Sequence, residues 1–115
     1  MIDNVLATLR AARDLVARPG GWSKGAYVRD GIISLNIDEQ TIGEFVFCHG
    51  KDYCAFCVEG AVLFVAPGLQ SAALDLLERA AGCAFLYRWN DAPGRKQSEV
   101  VTLFDRAIAL AEGES

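Results

Sequence analysis

The sequence predicts a mainly α-helical domain of four to five helices around a central apolar helix, with a small β-hairpin at about 32–48. Three observations carry this. Apolar residues recur at i, i+3, i+4 and i+7 in three separate stretches. A further stretch, Tyr53 to Val65, is apolar almost all round, as a helix enclosed by others is. Proline or glycine punctuates the chain at 19–21, 67–68, 82 and 93–94. The 115 residues suffice for a single domain, 1–115.

The first helix is expected over 3–17, with Val5, Leu6, Leu9, Ala12 and Val16 on one face. Asp3 is its expected N-cap and Pro19-Gly20-Gly21 its stop. Arg10, Asp14 and Arg18 stand four apart, the spacing of ion pairs along a solvated helix face. Residues 22–31 read as a loop or short helical turn. Ile33, Leu35 and Ile37 then alternate with Ser34, Asn36 and Asp38, the period of a half-buried strand. The apolar run Ile42 to Cys48 pairs with that strand in one reading, and forms an irregular packed loop in the other. Asp52 is the expected N-cap of the apolar helix, which runs to about Val65 before Pro67-Gly68. The next helix, about 69–81, turns Leu69, Ala72, Ala73, Leu76, Leu77 and Ala80 to one side, and a short helix is expected over 83–89. Asn90-Asp91-Ala92-Pro93-Gly94 is turn chemistry. The last helix covers about 97–112, with Val100, Leu103, Phe104, Ala107, Ile108 and Ala111 inward.

Composition narrows the function classes. Hydrophobic residues make up 52% and mean hydropathy is +0.21, which excludes a disordered chain. No apolar run is long enough to cross a bilayer, and the first residues lack the basic and apolar regions of a signal peptide. The net charge is −4. Residues 1–29 carry five basic residues against two acidic ones, and these fit a solvated helix face better than a phosphate-binding footprint. Nucleic-acid and membrane partners are therefore not expected. Four cysteines without a secretion signal point to reduced thiols and a cytoplasmic protein.

Trp22-x-x-Gly25-Ala26-Tyr27, Cys57-Val-Glu-Gly60-Ala61, Trp89-Asn90-Asp91 and Arg95-x-x-x-Glu99-Val100 occur in that order. Together they resemble a family of small, mainly helical bacterial and phage proteins known only as a domain of unknown function. The resemblance covers most of the chain and implies a fold, with no activity, cofactor or catalytic residue attached. The phage and bacterial company implies a regulatory or host-interaction role. The family pattern has Thr or Ser after the Arg, capping the last helix. Lys96 stands there and cannot accept from backbone N–H groups, which shifts the expected start to Ser98. The family's polar loop before the Cys-containing helix is here the apolar stretch 32–48.

Four constellations carry candidate chemistry. Cys54-Ala-Phe-Cys57 opening a helix is a redox arrangement in principle. No βαβ pattern precedes it, and buried, inert thiols are the favoured reading. Cys48, His49, Cys54 and Cys57 are donors of the type zinc takes, but adjacent Cys48 and His49 are poorly placed for one tetrahedral ion, so no metal is expected. His49 could serve a cysteine nucleophile as base; a single loop histidine beside Gly50 is the favoured reading. Trp22, Tyr27, Trp89, Asn90, Asp91 and Arg95 form either a structural clasp between helix-connecting turns or the lining of a site for a small polar ligand or a partner's loop. Ile33, Leu35, Ile37, Phe45 and Phe47 are candidates for an interface, because a hairpin there would leave an unpaired strand edge. No phosphate loop, paired-carboxylate motif or dinucleotide fingerprint is present, so no cofactor is expected. The leading reading is a non-enzymatic module working through protein–protein contact, as a homodimer or with another protein. The alternative is a ligand-binding or catalytic protein using the Trp/Asn/Asp/Arg set.

Overall fold

Six helices and one small sheet make up the described residues, 4–36, 39–67 and 71–114 of a computed structural model. Helix α1 spans Val5–Ala17. Its N-cap is Asn4, whose side-chain oxygen accepts from the Ala7 N–H at 2.7 Å, and Asp3 lies outside the described residues. Leu9, Ala12, Leu15 and Val16 form the buried stripe. The arginines of α1 reach outward to other elements in place of the expected ladder along the helix. Arg13 pairs with Asp105 at 2.7 Å, Arg10 with Glu112 at 3.1 Å, and Arg18 with Asp52 at 3.7 Å.

Residues 22–56 fold differently from the pattern of their sequence. Strand β1 (Val28–Asp30) lies inside the expected loop and pairs antiparallel with β2 (Ile33–Leu35). Gly31, at φ +61°, starts the two-residue turn between them, at the first central position, where a positive φ calls for glycine. The hairpin is thus at 28–35 and not at 32–48, while Ile37 and Asp38 lie outside the described residues. The apolar run expected as the second strand is helix α2 (Glu39–His49). Ile42, Phe45, Val46 and His49 fall at i, i+3, i+4 and i+7, a helical period hidden within a nearly continuous apolar run, and burying Ile42 and Val46 on one face follows it. His49 therefore ends a helix and is not a loop residue.

The helix expected from Asp52 begins five residues later. Gly50, at φ +89°, closes α2, and Lys51–Tyr53 make one tight turn. Residues 54–56 are then drawn into the sheet as β3 (Ala55–Phe56), with Val28 opposite Phe56 in the order β2-β1-β3. Phe56 also exchanges hydrogen bonds with Gly21 and Ser23, so sheet pairing overrides the apolar helical pattern. Only Val58–Val65 is helical, as α3, capped by Cys57. Val58, Ala61 and Val62 are fully buried there, and α3 packs on α1, α2 and α5.

Helix α4 (Ser71–Ala81) buries Ala73, Leu76 and Leu77 but leaves Ala72 outward, and the expected Leu69 lies outside the described residues. Gly82, at φ +65°, ends it. A short helix, α5 (Leu86–Asn90), follows, and α6 (Gln97–Glu114) closes the fold against α1 and α4. The expected shift of its start to Ser98 does not occur. Glu99 reaches back to accept from the Lys96 N–H at 2.8 Å, which supplies half of a capping box without a hydroxyl. Val100, Leu103, Phe104 and Ala107 complete a core cluster that runs from Leu9 on α1 through Phe56 and Val62.

Candidate functional site

Three of the four sequence motifs meet at one side chain. Asn90 ends α5 and is only 1% exposed. Its carboxamide oxygen accepts from Trp22 Nε1 at 2.8 Å and from the Val58 N–H at 3.1 Å. Its nitrogen donates to the Ser23 carbonyl at 3.0 Å and to Asp91 Oδ1 at 2.9 Å. That uses the full hydrogen-bonding capacity of an asparagine side chain. Asp91 Oδ1 also accepts from the Gly25 N–H at 3.0 Å, and Lys24 Nζ donates to the Ala92 carbonyl at 2.9 Å. The loop from Trp22 to Tyr27, the start of α3 and the end of α5 are thereby tied together.

The Cys-x-x-Gly motif belongs to the same junction. Cys57 N–H donates to the Tyr27 carbonyl at 3.2 Å, and Cys57 Sγ accepts from the Gly60 N–H at 3.2 Å. A side chain on Gly60 would collide with the Tyr27 carbonyl, so glycine is required by this close approach. Burial pushes the Cys57 thiol up to about 12, against the opposing Gly60 N–H bond. Burial also raises Cys54, with Asp30 adding to the effect. Beside Cys57, burial raises the Glu59 carboxyl; a Tyr27 hydrogen bond opposes that rise and Glu78 adds to it.

Arg95 completes the fourth motif. It donates from Nε to the Trp89 carbonyl at 2.8 Å, lies 3.8 Å from the centre of the Trp89 ring, and pairs with Glu99 at 3.3 Å. The six side chains grouped by sequence do not converge on one space. Trp89 and Arg95 line a cleft of about 250 Å³ beside α4 and α6. Tyr27 and Asp91 line another of about 300 Å³, together with Cys57 and Tyr87. Trp22 and Asn90 line neither of these two clefts and are bonded to each other.

Elsewhere, His49 Nδ1 lies 3.0 Å from Asp30 Oδ2, and its ring stacks on Phe45 at 4.1 Å. Cys48 is exposed whereas Cys54 and Cys57 are buried, and among the described residues no three His, Cys, Asp or Glu side chains are grouped to hold a metal ion. Of the interface candidates, Phe47 is 89% exposed and Ile33 54%. Leu35 and Phe45 pack partly against the core, and Ile37 lies outside the described residues. Sequence reasoning missed Ser23 and Val58, which act through backbone atoms that carry no sequence signal. It also missed Gln97, whose side chain donates at 2.7 Å to the carbonyls of both Val16 and Arg18 at the end of α1. Tyr87 was missed as well; its place beside a turn-forming string was the available hint.

The chain matches the model of a family of unknown function, DUF6197, over residues 1–110, and it belongs to that family. No curated protein and no solved structure matches it. Among the described residues no helix is long and apolar enough to cross a membrane.

Proposed function

We propose that this DUF6197 protein is a non-enzymatic interaction module that associates with a second copy of itself through the outer face of α2. The observation that carries the reading is Phe47, a large apolar side chain 89% exposed in the last turn of α2. Gly43 stands one turn before it on the same outward side, with open space where a side chain would be. A bump and a hollow four residues apart suit two-fold packing, in which each Phe47 sits over the other copy's Gly43. Further apolar surface lies near. Ile32 is fully exposed at the hairpin tip, and Tyr53 is 76% exposed beside Gly50 at the end of α2. The His49–Asp30 contact holds that helix end against the hairpin.

The absence of enzymatic chemistry from this reading is supported by the state of the candidate nucleophiles. Cys57 spends its sulfur on a helix cap and Cys54 is shut in the core. The four free thiols support a cytoplasmic setting.

Size-exclusion chromatography with light scattering tests the proposal. The expected mass is twice 12.4 kDa, falling to 12.4 kDa for Phe47→Glu with the helical circular-dichroism signal unchanged. A mass of 12.4 kDa for the unaltered chain up to about 1 mM, where an association worth only about 4 kcal/mol would still be seen, overturns it.

A further inference from the structure

The cleft of about 300 Å³ between the Trp22–Tyr27 loop and the end of α5 plays no part in that self-association. Its size is at the lower end of the range for small-molecule sites, roughly 300–1,000 Å³. Ala26 and the tyrosines Tyr27 and Tyr87 contribute apolar surface, and Asn36 and Asp91 stand at the exposed rim. We propose that this cleft binds a small molecule carrying an ammonium or guanidinium group on a compact apolar body.

Asp91 supplies the charge that such a ligand would meet. Two N–H donors, from Gly25 at 3.0 Å and Asn90 at 2.9 Å, both bind Oδ1 and fix the carboxylate. Among the described residues nothing in the chain donates to Oδ2 or forms an ion pair with this side chain. A carboxylate held still with one oxygen open is preorganised for a cationic donor, because little orientational freedom is lost when the ligand arrives.

The second observation is Cys57, which lines the same cleft at 5% exposure. Its sulfur is taken up by the Gly60 N–H, so it adds to the wall an uncharged, weakly polar surface against which the apolar body of the ligand packs.

The third observation is the field. A neighbouring groove shares Tyr27 and Tyr87 with the cleft and carries Glu59, Asp75 and Glu78, with no lysine or arginine in its lining. Burial and Glu78 both work against the charge on Glu59, so a cation drawn in here relieves an existing strain. The tyrosine wall also accepts cations, since Arg88 already lies 5.8 Å from the Tyr87 ring and 5.0 Å from that of Phe85. Three cations stand around the cleft without lining it: Arg29 approaches Gly25, Lys24 reaches the Ala92 carbonyl, and Arg88 lies over the Tyr87 ring. The cationic end of the ligand therefore lies at the open Oδ2 of Asp91, on the side of the acidic groove.

The test is a titration of the full, isotopically labelled chain with 2-phenylethylamine and with benzamidine, followed by amide resonances. 3-Phenylpropionate serves as the anion of similar size. Both cations are expected to move the Gly25, Cys57 and Asp91 signals saturably, with the anion at least about tenfold weaker. Asp91→Asn keeps an oxygen for the Gly25 and Asn90 donors and should weaken the amines about tenfold or more. Asn36→Lys puts a positive charge at the rim without touching the clasp and should do the same, so the test stands even if the first variant fails to fold. Unsaturable or absent shifts with both cations at about 10 mM overturn the proposal. So does equal binding of the anion, or amine binding that survives the folded variants.

Discussion

Replacing Asn90 with alanine removes the side chain on which three segments converge, and its cost can be worked from the bonds lost. The Val58 N–H is left without its acceptor in a buried position, which costs about 1–3 kcal/mol. Trp22 Nε1 is half-buried and can find water in part, so its loss adds about 1 kcal/mol. The Ser23 carbonyl and Asp91 lose donors more cheaply, and the small void adds about another 1 kcal/mol. The sum, about 3–5 kcal/mol, is a large share of the roughly 5–15 kcal/mol that a domain of this size possesses. The melting temperature should fall by about 10–20 °C. Denaturant unfolding followed by tryptophan fluorescence is the assay, since Trp22 donates to Asn90 itself. Asn90→Asp keeps an acceptor but sets a second carboxylate against Asp91. It should be worse than alanine at pH 7 and recover toward pH 4, as protonation restores a donor. Trp22→Phe and Asn90→Ala should combine to about 1 kcal/mol less than the sum of their separate costs, because they share one bond. An Asn90→Ala loss below about 1 kcal/mol, or full additivity with Trp22→Phe, would refute the clasp.

Three further outcomes are expected. Gly60→Ala should cost about 2 kcal/mol or more, because its new methyl meets the Tyr27 carbonyl, whereas Gly43→Ala made in the monomeric Phe47→Glu chain, where the outer face of α2 is open, should gain about 0.5–1 kcal/mol; denaturant midpoints distinguish them. Aromatic disulfide reagents should modify Cys48 quickly and Cys57 only on unfolding. Because Cys57 is raised from 9.0 to about 12 in the folded state, its contribution to stability is complete below pH 9 and is lost as pH rises toward 12, which alkaline unfolding curves would show. Glu59→Gln should raise the melting temperature at pH 7 and lose that advantage below about pH 4.5. The folded-state carboxyl is raised, so ionising it as pH rises through that window destabilises the native chain.

The helices that were legible in the sequence are those whose period is long and uninterrupted. α1, α4 and α6 each repeat an apolar stripe over three or more turns, so local pattern and tertiary burial agree. The middle of the chain was not legible, because there the two disagree. Cys54 to Phe56 carries the apolar character of a buried helix, yet its backbone is claimed by Val28, Gly21 and Ser23 from earlier in the chain. Ile42 to Cys48 is a short, nearly continuous apolar run that either strand or helix could bury, and only its packing against α3 and β1 decides. The site was half legible for a related reason. Turn-forming side chains such as Asn90 and Asp91 advertise themselves, while their partners Val58, Ser23 and Gly25 contribute backbone groups that every residue has.

The short helices show why the clasp matters to what the protein does. α3 has eight residues and α5 five, too few to persist through their own hydrogen bonds in water. α5 is held at its end by Asn90, by Arg95 on the Trp89 carbonyl, and by the Asp91–Gly25 link. Tyr87 and Asp91 reach the cleft only because that short helix is fixed. Loosening Asn90 should therefore abolish amine binding along with part of the stability. Phe47 sits on α2, whose inner residues Ile42 and Val46 are buried in the core independently of the clasp. The two proposed activities are thus separable. Phe47→Glu should leave the amine titration unchanged, and Asn36→Lys should leave the dimer intact. If either variant disturbed both readouts, the α2 face and the cleft would have to be parts of one surface, and self-association would be gating the ligand site.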